Sequence, residues 1–232
     1  MTEEFQQFPA HTLQTYVQWG RCQTPEEHQL YSLCKAIKNQ KEYFDWEKKE
    51  WCDPFPYVFV PAELGKISVL KRETFLVPVP TSKVTRNESG NLNALWPSMQ
   101  ICERLQQMGL GTALPLLYRV TEVKAASKAG SGNERTTLSE HIASMQADLQ
   151  PLLDVDDLGL GRTYVLIDDV ITRGTQMAAA LMVLQATEFL KKKRIEGFAP
   201  FAALWNEDRT TRHWMVRWPD GADWTERVPA AN

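Results

Sequence analysis

The chain has 232 residues, 43% of them apolar, and a formal net charge of −3, which suits one domain with an appendage or two small ones. The slight negative balance argues against a dedicated nucleic-acid surface, and no run of eighteen apolar residues is present to form a helical membrane span. The opening MTEEFQQFPAH is polar and acidic, unlike a secretory signal. Cys22, Cys34, Cys52 and Cys102 are scattered with no C-x-x-C pair, so reduced thiols in a cytoplasmic protein are expected.

In the first 60 residues the clearest signal is a helix start. Thr24 is the expected N-cap, Pro25 the first helical position, and Glu27 the closing member of a capping box. Leu30, Leu33, Cys34 and Ile37 then recur at helical spacing, with Lys35, Lys38, Lys41, Lys48 and Lys49 assigned to a solvated outer face. Trp46, Trp51, Phe55 and Tyr57, mixed with two prolines, read as an irregular aromatic segment, either packed on the main sheet or part of a lid.

Thr74 to Pro80 is a strong β-type run ended by proline, followed by the small polar loop Thr81-Ser82-Lys83. A turn-rich stretch leads to a helix expected from about Leu95 to Met108. Leu114 to Val120 is a further apolar strand candidate. The polar segment after it carries Lys124, Lys128 and Arg135 around Gly130-Ser131-Gly132. It reads as a flexible linker or as a mobile lid whose cations close over a ligand. Loops of this length inside a compact domain are more often functional or disordered than decorative, and the motif downstream at Asp168–Gln176 favours the lid. Thr137 or Ser139 caps a helix expected to reach about Leu149.

The rest of the chain is organised around Tyr164 to Met177. Val165-Leu166-Ile167 reads as a buried parallel strand that runs into the twin acids Asp168 and Asp169. Thr172-Arg173-Gly174-Thr175-Gln176 forms a polar turn, and a helix is expected from Met177 to Lys191. A strand ending in acids, a glycine turn and a helix start together describe a ligand site at the carboxyl edge of an open α/β sheet. The helix amides favour a phosphate. The carboxylates cannot also bind phosphate, so they require hydroxyls or a metal, and a ribose 5-phosphate satisfies both demands. Beyond the basic run at 191–194, which complements a helix dipole, Gly197 to Leu204 reads as another parallel strand. In the tail, Trp214, Val216 and Trp218 alternate with Met215 and Arg217 like a strand, and Pro219-Asp220-Gly221 marks a turn. A P-loop ATPase is set aside, since no G-x-x-x-x-G-K-[ST] precedes the central strand.

LIDDVITRGTQ is similar to the phosphoribosyl-pyrophosphate (PRPP) motif of type I phosphoribosyltransferases. Together with SLCKAIKNQ, LVPVPTSKVTRNESGNLNALW and PLLYRVTEVKAASKAG, it resembles the ComF-like branch, which is associated with competence and DNA uptake. The resemblance covers about residues 30–205; the cysteine pairs that build a zinc finger in many members are absent. It implies an α/β, Rossmann-like three-layer core with a parallel sheet over 61–205. To this it adds an N-terminal helical and aromatic extension over 1–60 and a Trp-rich C-terminal hood or tail over 206–232. It also implies that Asp168 and Asp169 hold the ribose hydroxyls, with an indirect role toward a metal. Thr172, Arg173, Gly174, Thr175 and Gln176 would wrap the 5-phosphate, and Thr81, Ser82 and Lys83 would bind pyrophosphate. Lys83, Lys124, Lys128 and Arg135 would be the catalytic cations. The implied activity is Mg²⁺-dependent transfer of phosphoribose between pyrophosphate and a nitrogen nucleophile. The implied partners are PRPP or a ribose 5-phosphate nucleotide, an acceptor base, and a second copy of the chain as a homodimer; neither nucleic acid nor membrane is expected. The alternatives are a non-catalytic PRPP sensor and a DNA-uptake accessory on the same fold.

Overall fold

The computed structural model describes residues 5–16, 22, 24–86, 96–124, 136–153, 155, 162–203, 213–219 and 226–229, with residues 5–7, 15–16, 213–219 and 226–229 described by backbone alone. In chain order the elements are β1 (Phe5–Tyr16), α1 (Pro25–Asn39), β2 (Tyr43–Asp45), β3 (Glu50–Cys52), α2 (Phe55–Val58), α3 (Pro61–Leu64), β4 (Phe75–Pro78) and α4 (Pro97–Gln107). They continue with β5 (Thr112–Ala113), β6 (Leu117–Arg119), α5 (Leu138–Ala143), β7 (Met145–Ala147), α6 (Gln150–Leu153), β8 (Tyr164–Ile167) and β9 (Val170–Ile171). The last are α7 (Thr175–Gln185), β10 (Ile195–Ala203), β11 (His213–Pro219) and β12 (Glu226–Pro229).

The central sheet runs β12-β11-β1-β10-β8-β4-β5, with β9 beside β10. From β1 to β5 every pairing is parallel, and β11 and β12 are added antiparallel on the β1 side. The fold is therefore α/β with a mostly parallel central sheet.

Why these segments lie at the centre follows from their burial. All four residues of β4 and all four of β8 are buried, as expected of strands covered on both faces. Their side chains alternate between two cores. Phe75, Val77, Tyr164 and Leu166 pack with Met177, Leu181 and Leu184 of α7. Leu76, Val165 and Ile167 pack with Leu33 and Ile37 of α1 and Ile101 and Leu105 of α4. One helical layer covers each face. The α7 layer approaches closely: a Cβ on Gly197 would collide with the Met177 sulfur and force that side chain to shift, with Ala10 Cβ at 3.0 Å beside it.

Several expectations meet the structure closely. Thr24 caps α1 in a full capping box, each partner bonding at 3.3 Å, and Pro25 opens the helix. Thr137, rather than Ser139, caps α5. The tail strand and the strand from Gly197 are β11 and β10. Other boundaries differ. The helix from Thr137 ends at Ala143 and gives way to β7, which pairs antiparallel with β6. The Leu114–Val120 run therefore supplies only β6, outside the central sheet, whose edge strand β5 precedes it at Thr112–Ala113. Helix α7 begins at Thr175 and ends at Gln185, where Thr187 Oγ1 donates to the Leu184 carbonyl at 2.7 Å and the chain turns before the basic run is reached. The aromatic segment contains the β2–β3 hairpin, on which Phe44 meets Trp46 and Trp51 edge-on.

Residues 5–16, within the stretch expected as an N-terminal extension, lie inside the central sheet between β10 and β11. The segment reads as polar because its buried polar side chains find partners across the strand: His11 Nε2 lies 2.7 Å from the Glu196 carboxylate of β10. Among the described residues no helix is long and apolar enough to cross a membrane.

Candidate functional site

From β4 the chain proceeds through α4 to β5 on one side, and from β8 through α7 to β10 on the other. The boundary between β4 and β8 is thus the point where strand order reverses, where open α/β sheets form a crevice beyond the carboxyl ends of their strands. The two strands end level: Pro78 is opposite Ile167, and the Val79 N–H donates to the Ile167 carbonyl at 2.8 Å. Two loops far apart in sequence, one starting at Val79 and one at Asp168, therefore leave the sheet side by side.

In the second loop, Asp168 is buried and its backbone N–H donates to the Phe198 carbonyl at 3.0 Å. Its carboxylate accepts the Asp169 N–H at 2.9 Å, which bends the chain at the strand end. Neither acid makes an ion pair among the described residues. Burial and the adjacent Asp169 carboxylate push the Asp168 carboxyl well above its usual range, with Lys38 opposing them. Lys38 is half-buried rather than on a wholly solvated face, and it was not among the residues expected at the site. After β9, Gly174 takes a left-handed conformation, φ 79°, directly before the first residue of α7. A side chain there would be strained, and the turn presents the unpaired first amides of the helix. Thr172, Thr175 and Gln176 are half-buried at this turn, and Arg173 is exposed. The Gln176 side-chain amide donates to the Pro80 carbonyl at 3.0 Å, so it ties this turn to the first loop.

The first loop has a one-sided hydrogen-bond pattern. The Val79 carbonyl accepts from Trp96 Nε1 at 3.1 Å and Ser98 Oγ at 2.5 Å. The Pro80 carbonyl accepts from Gln176, the Thr81 carbonyl from Arg119 Nε at 2.5 Å, and the Ser82 carbonyl from the Val123 N–H at 2.9 Å. By contrast, the N–H groups of Thr81, Ser82 and Lys83 make no hydrogen bond among the described residues. No described peptide is cis, and in a trans peptide the N–H points opposite to the C=O. Each of these three amides is thus directed away from the group that holds its own carbonyl. A run of unpaired amides held from behind is an anion-binding arrangement.

Around the loops lies a buried cation that residue type and spacing did not single out. Arg119, at the end of β6, is fully buried. Its guanidinium bonds Thr81 and the Ser144 hydroxyl and faces His141 Nδ1 at 3.4 Å. Burial lowers it to about 10, while the charge of Asp168 acts in the opposite sense. Burial, then the Arg119 charge, lowers His141 to about 4, so its imidazole is neutral at pH 7. Of the expected cations, Lys83 is exposed on the first loop and Lys124 is exposed next to Val123, which bonds that loop. The Lys124 carbonyl accepts from Thr136 Oγ1 at 2.8 Å, which joins the two ends of the 125–135 segment. Lys128 and Arg135 lie outside the described residues.

No cluster of three or more His, Cys, Asp or Glu side chains able to hold a metal occurs among the described residues. No protein-family model matches the chain, and no curated protein is significantly similar to it.

Proposed function

We propose that the crevice between β4 and β8 binds PRPP and that the protein is a phosphoribosyltransferase of the type I, ComF-like kind. The observation that carries this reading is the pairing of opposite needs on adjacent loops. One loop offers the donors of Thr81, Ser82 and Lys83, which meet no acceptor among the described residues, and the other offers two carboxylates that make no ion pair among them. A sugar with hydroxyls on one side of its reacting carbon and a diphosphate on the other satisfies both.

In this reading Asp168 and Asp169 accept the ribose 2- and 3-hydroxyls. The amides from Gly174 to Gln176, with Thr172, Thr175 and Arg173, surround the 5-phosphate. The Gln176 amide side chain is occupied by Pro80, so its share in the phosphate site is its backbone N–H. Transfer breaks the bond from C1 to the pyrophosphate oxygen and forms one to a nitrogen nucleophile. The sugar passes through an oxocarbenium-like state, so the work of the protein is to fix both ends and stabilise the departing charge. The amides of the first loop receive that charge, with Lys83 and Lys124 beside them; Lys128 and Arg135, outside the described residues, are the further cations this reading assigns to it. Mg²⁺, a hard cation that binds phosphates with few carboxylates and keeps its waters, fits this donor set and would neutralise pyrophosphate, with Asp168 and Asp169 as its indirect partners.

The test is the double variant Asp168→Asn with Asp169→Asn, titrated with PRPP by calorimetry. Binding is expected to vanish while circular dichroism is retained; unchanged binding would remove the assignment. Pyrophosphate release across a panel of bases and amines then separates transfer from mere sensing.

A further inference from the structure

Arg119 joins three parts of the molecule that are distant in sequence. Its N–H donates to Thr85 Oγ1 at 2.8 Å and its carbonyl accepts the Thr85 N–H at 3.2 Å. Its guanidinium reaches back to the Thr81 carbonyl and across to Ser144 at the end of α5. Both ends of the Thr81–Thr85 loop thus rest on one residue. All of its bonding partners are neutral, and among the described residues it makes no ion pair. A fully buried cation without an anion is costly. A guanidinium bound to a carbonyl also polarises the peptide beyond it, which makes the N–H on the far side a stronger donor. At Thr81 that N–H belongs to Ser82, one of the three unpaired amides.

We propose that Arg119 is a positioning residue of the anion loop: it holds the Thr81 carbonyl so that the Ser82 N–H faces the ligand, and its unneutralised charge strengthens that amide for a diphosphate group. The proposal rests on the PRPP reading and assigns Arg119 to the pyrophosphate end alone. The 5-phosphate turn has its own scaffold in Gly174 and the start of α7. Arg119 therefore discriminates between two halves of one substrate.

The experiment is calorimetry on the full chain with pyrophosphate and, separately, ribose 5-phosphate, both with Mg²⁺, for wild type, Arg119→Met and Arg119→Lys. Arg119→Met is expected to weaken pyrophosphate by about 10-fold or more, as loss of a charged hydrogen bond should, with ribose 5-phosphate changed less than about 2-fold. Arg119→Lys, which keeps the charge but cannot span Thr81, Ser144 and His141 together, is expected to recover part of the loss. If Arg119→Met does not fold, the lysine variant carries the test through its own selective loss of pyrophosphate. Wild-type affinity for pyrophosphate in the folded variants, or equal loss of both ligands, overturns the proposal. Wild-type protein that binds neither ligand overturns it together with the PRPP reading beneath it.

Discussion

Two buried charged groups of this protein are built on opposite principles. Near the start of β10, Glu196 is nearly inaccessible and fully paired: His11 lies 2.7 Å from one carboxylate oxygen and Arg194 Nε donates to the other at 2.6 Å. At the carboxyl edge of the sheet, Arg119 and Asp168 are also buried, yet neither makes an ion pair among the described residues. Charges that serve the fold are neutralised within it. Charges left apart at a crevice destabilise the empty protein and await a partner.

The sharpest way to break this comparison is Asp168→Asn. Loss of charged hydrogen bonds to ribose should weaken PRPP by about 1000-fold, about 4 kcal/mol, measured by calorimetry. The same variant should raise the melting temperature, because a carboxyl whose folded value is raised costs stability once pH exceeds its ordinary range. A lower melting temperature would place Asp168 with the structural charges.

Glu196→Ala should do the reverse. Leaving His11 without its carboxylate is expected to cost about 3 to 4 kcal/mol in urea unfolding, with PRPP affinity unaltered. Burial alone would raise Glu196, but its bonds to His11 and Arg194 outweigh that and hold it below its usual value. Its contribution is therefore present at neutral pH and lost as pH falls through that lowered value.

His141 gives the third contrast, read through pH. Its folded value of about 4 lies below its ordinary 6.5. Between the two, the unfolded chain binds a proton that the folded chain refuses, so stability is full above pH 6.5 and declines toward pH 4. The decline should approach about 3 kcal/mol, and thermal melts of His141→Gln should lack that component. A wild type and variant with parallel pH profiles would show that His141 is not kept neutral beside Arg119.

The smallest effect is expected at Trp96. Trp96→Phe removes one of two donors to the Val79 carbonyl and should cost about 1 kcal/mol in denaturant unfolding. Because Val79 precedes proline and its peptide has no N–H to aim, ligand affinity should hardly change. A large loss of pyrophosphate affinity would mean that the whole 79–82 carbonyl row acts as one unit.

Legibility in the sequence followed locality. The Thr24 capping box, β8 and its acids, and the glycine turn before α7 are spelled by neighbouring residues, and each lies where the pattern put it. Residues 5–16 were not legible as an interior strand, because His11 makes them look polar until its partner Glu196, 185 positions away, is known. Arg119 was hidden in the same way. In sequence it is a cation after Leu117-Tyr118, and only packing shows that it is buried behind Thr81. Lys38 matched a solvated helix face by spacing, yet its charge reaches Asp168.

By itself the sequence determined the pieces: which segments bury both faces, where helices start, and that a strand ends in two acids before a glycine turn. These depend on residues within a few positions of one another, and their chemistry is local. Only the tertiary structure decided that the Thr81–Lys83 loop stands beside those acids with its amides unbonded among the described residues. That arrangement requires donors from Trp96, Arg119, Val123 and Gln176 to hold four carbonyls in a row. Those donors meet the loop only because β4 and β8 are neighbours in the sheet.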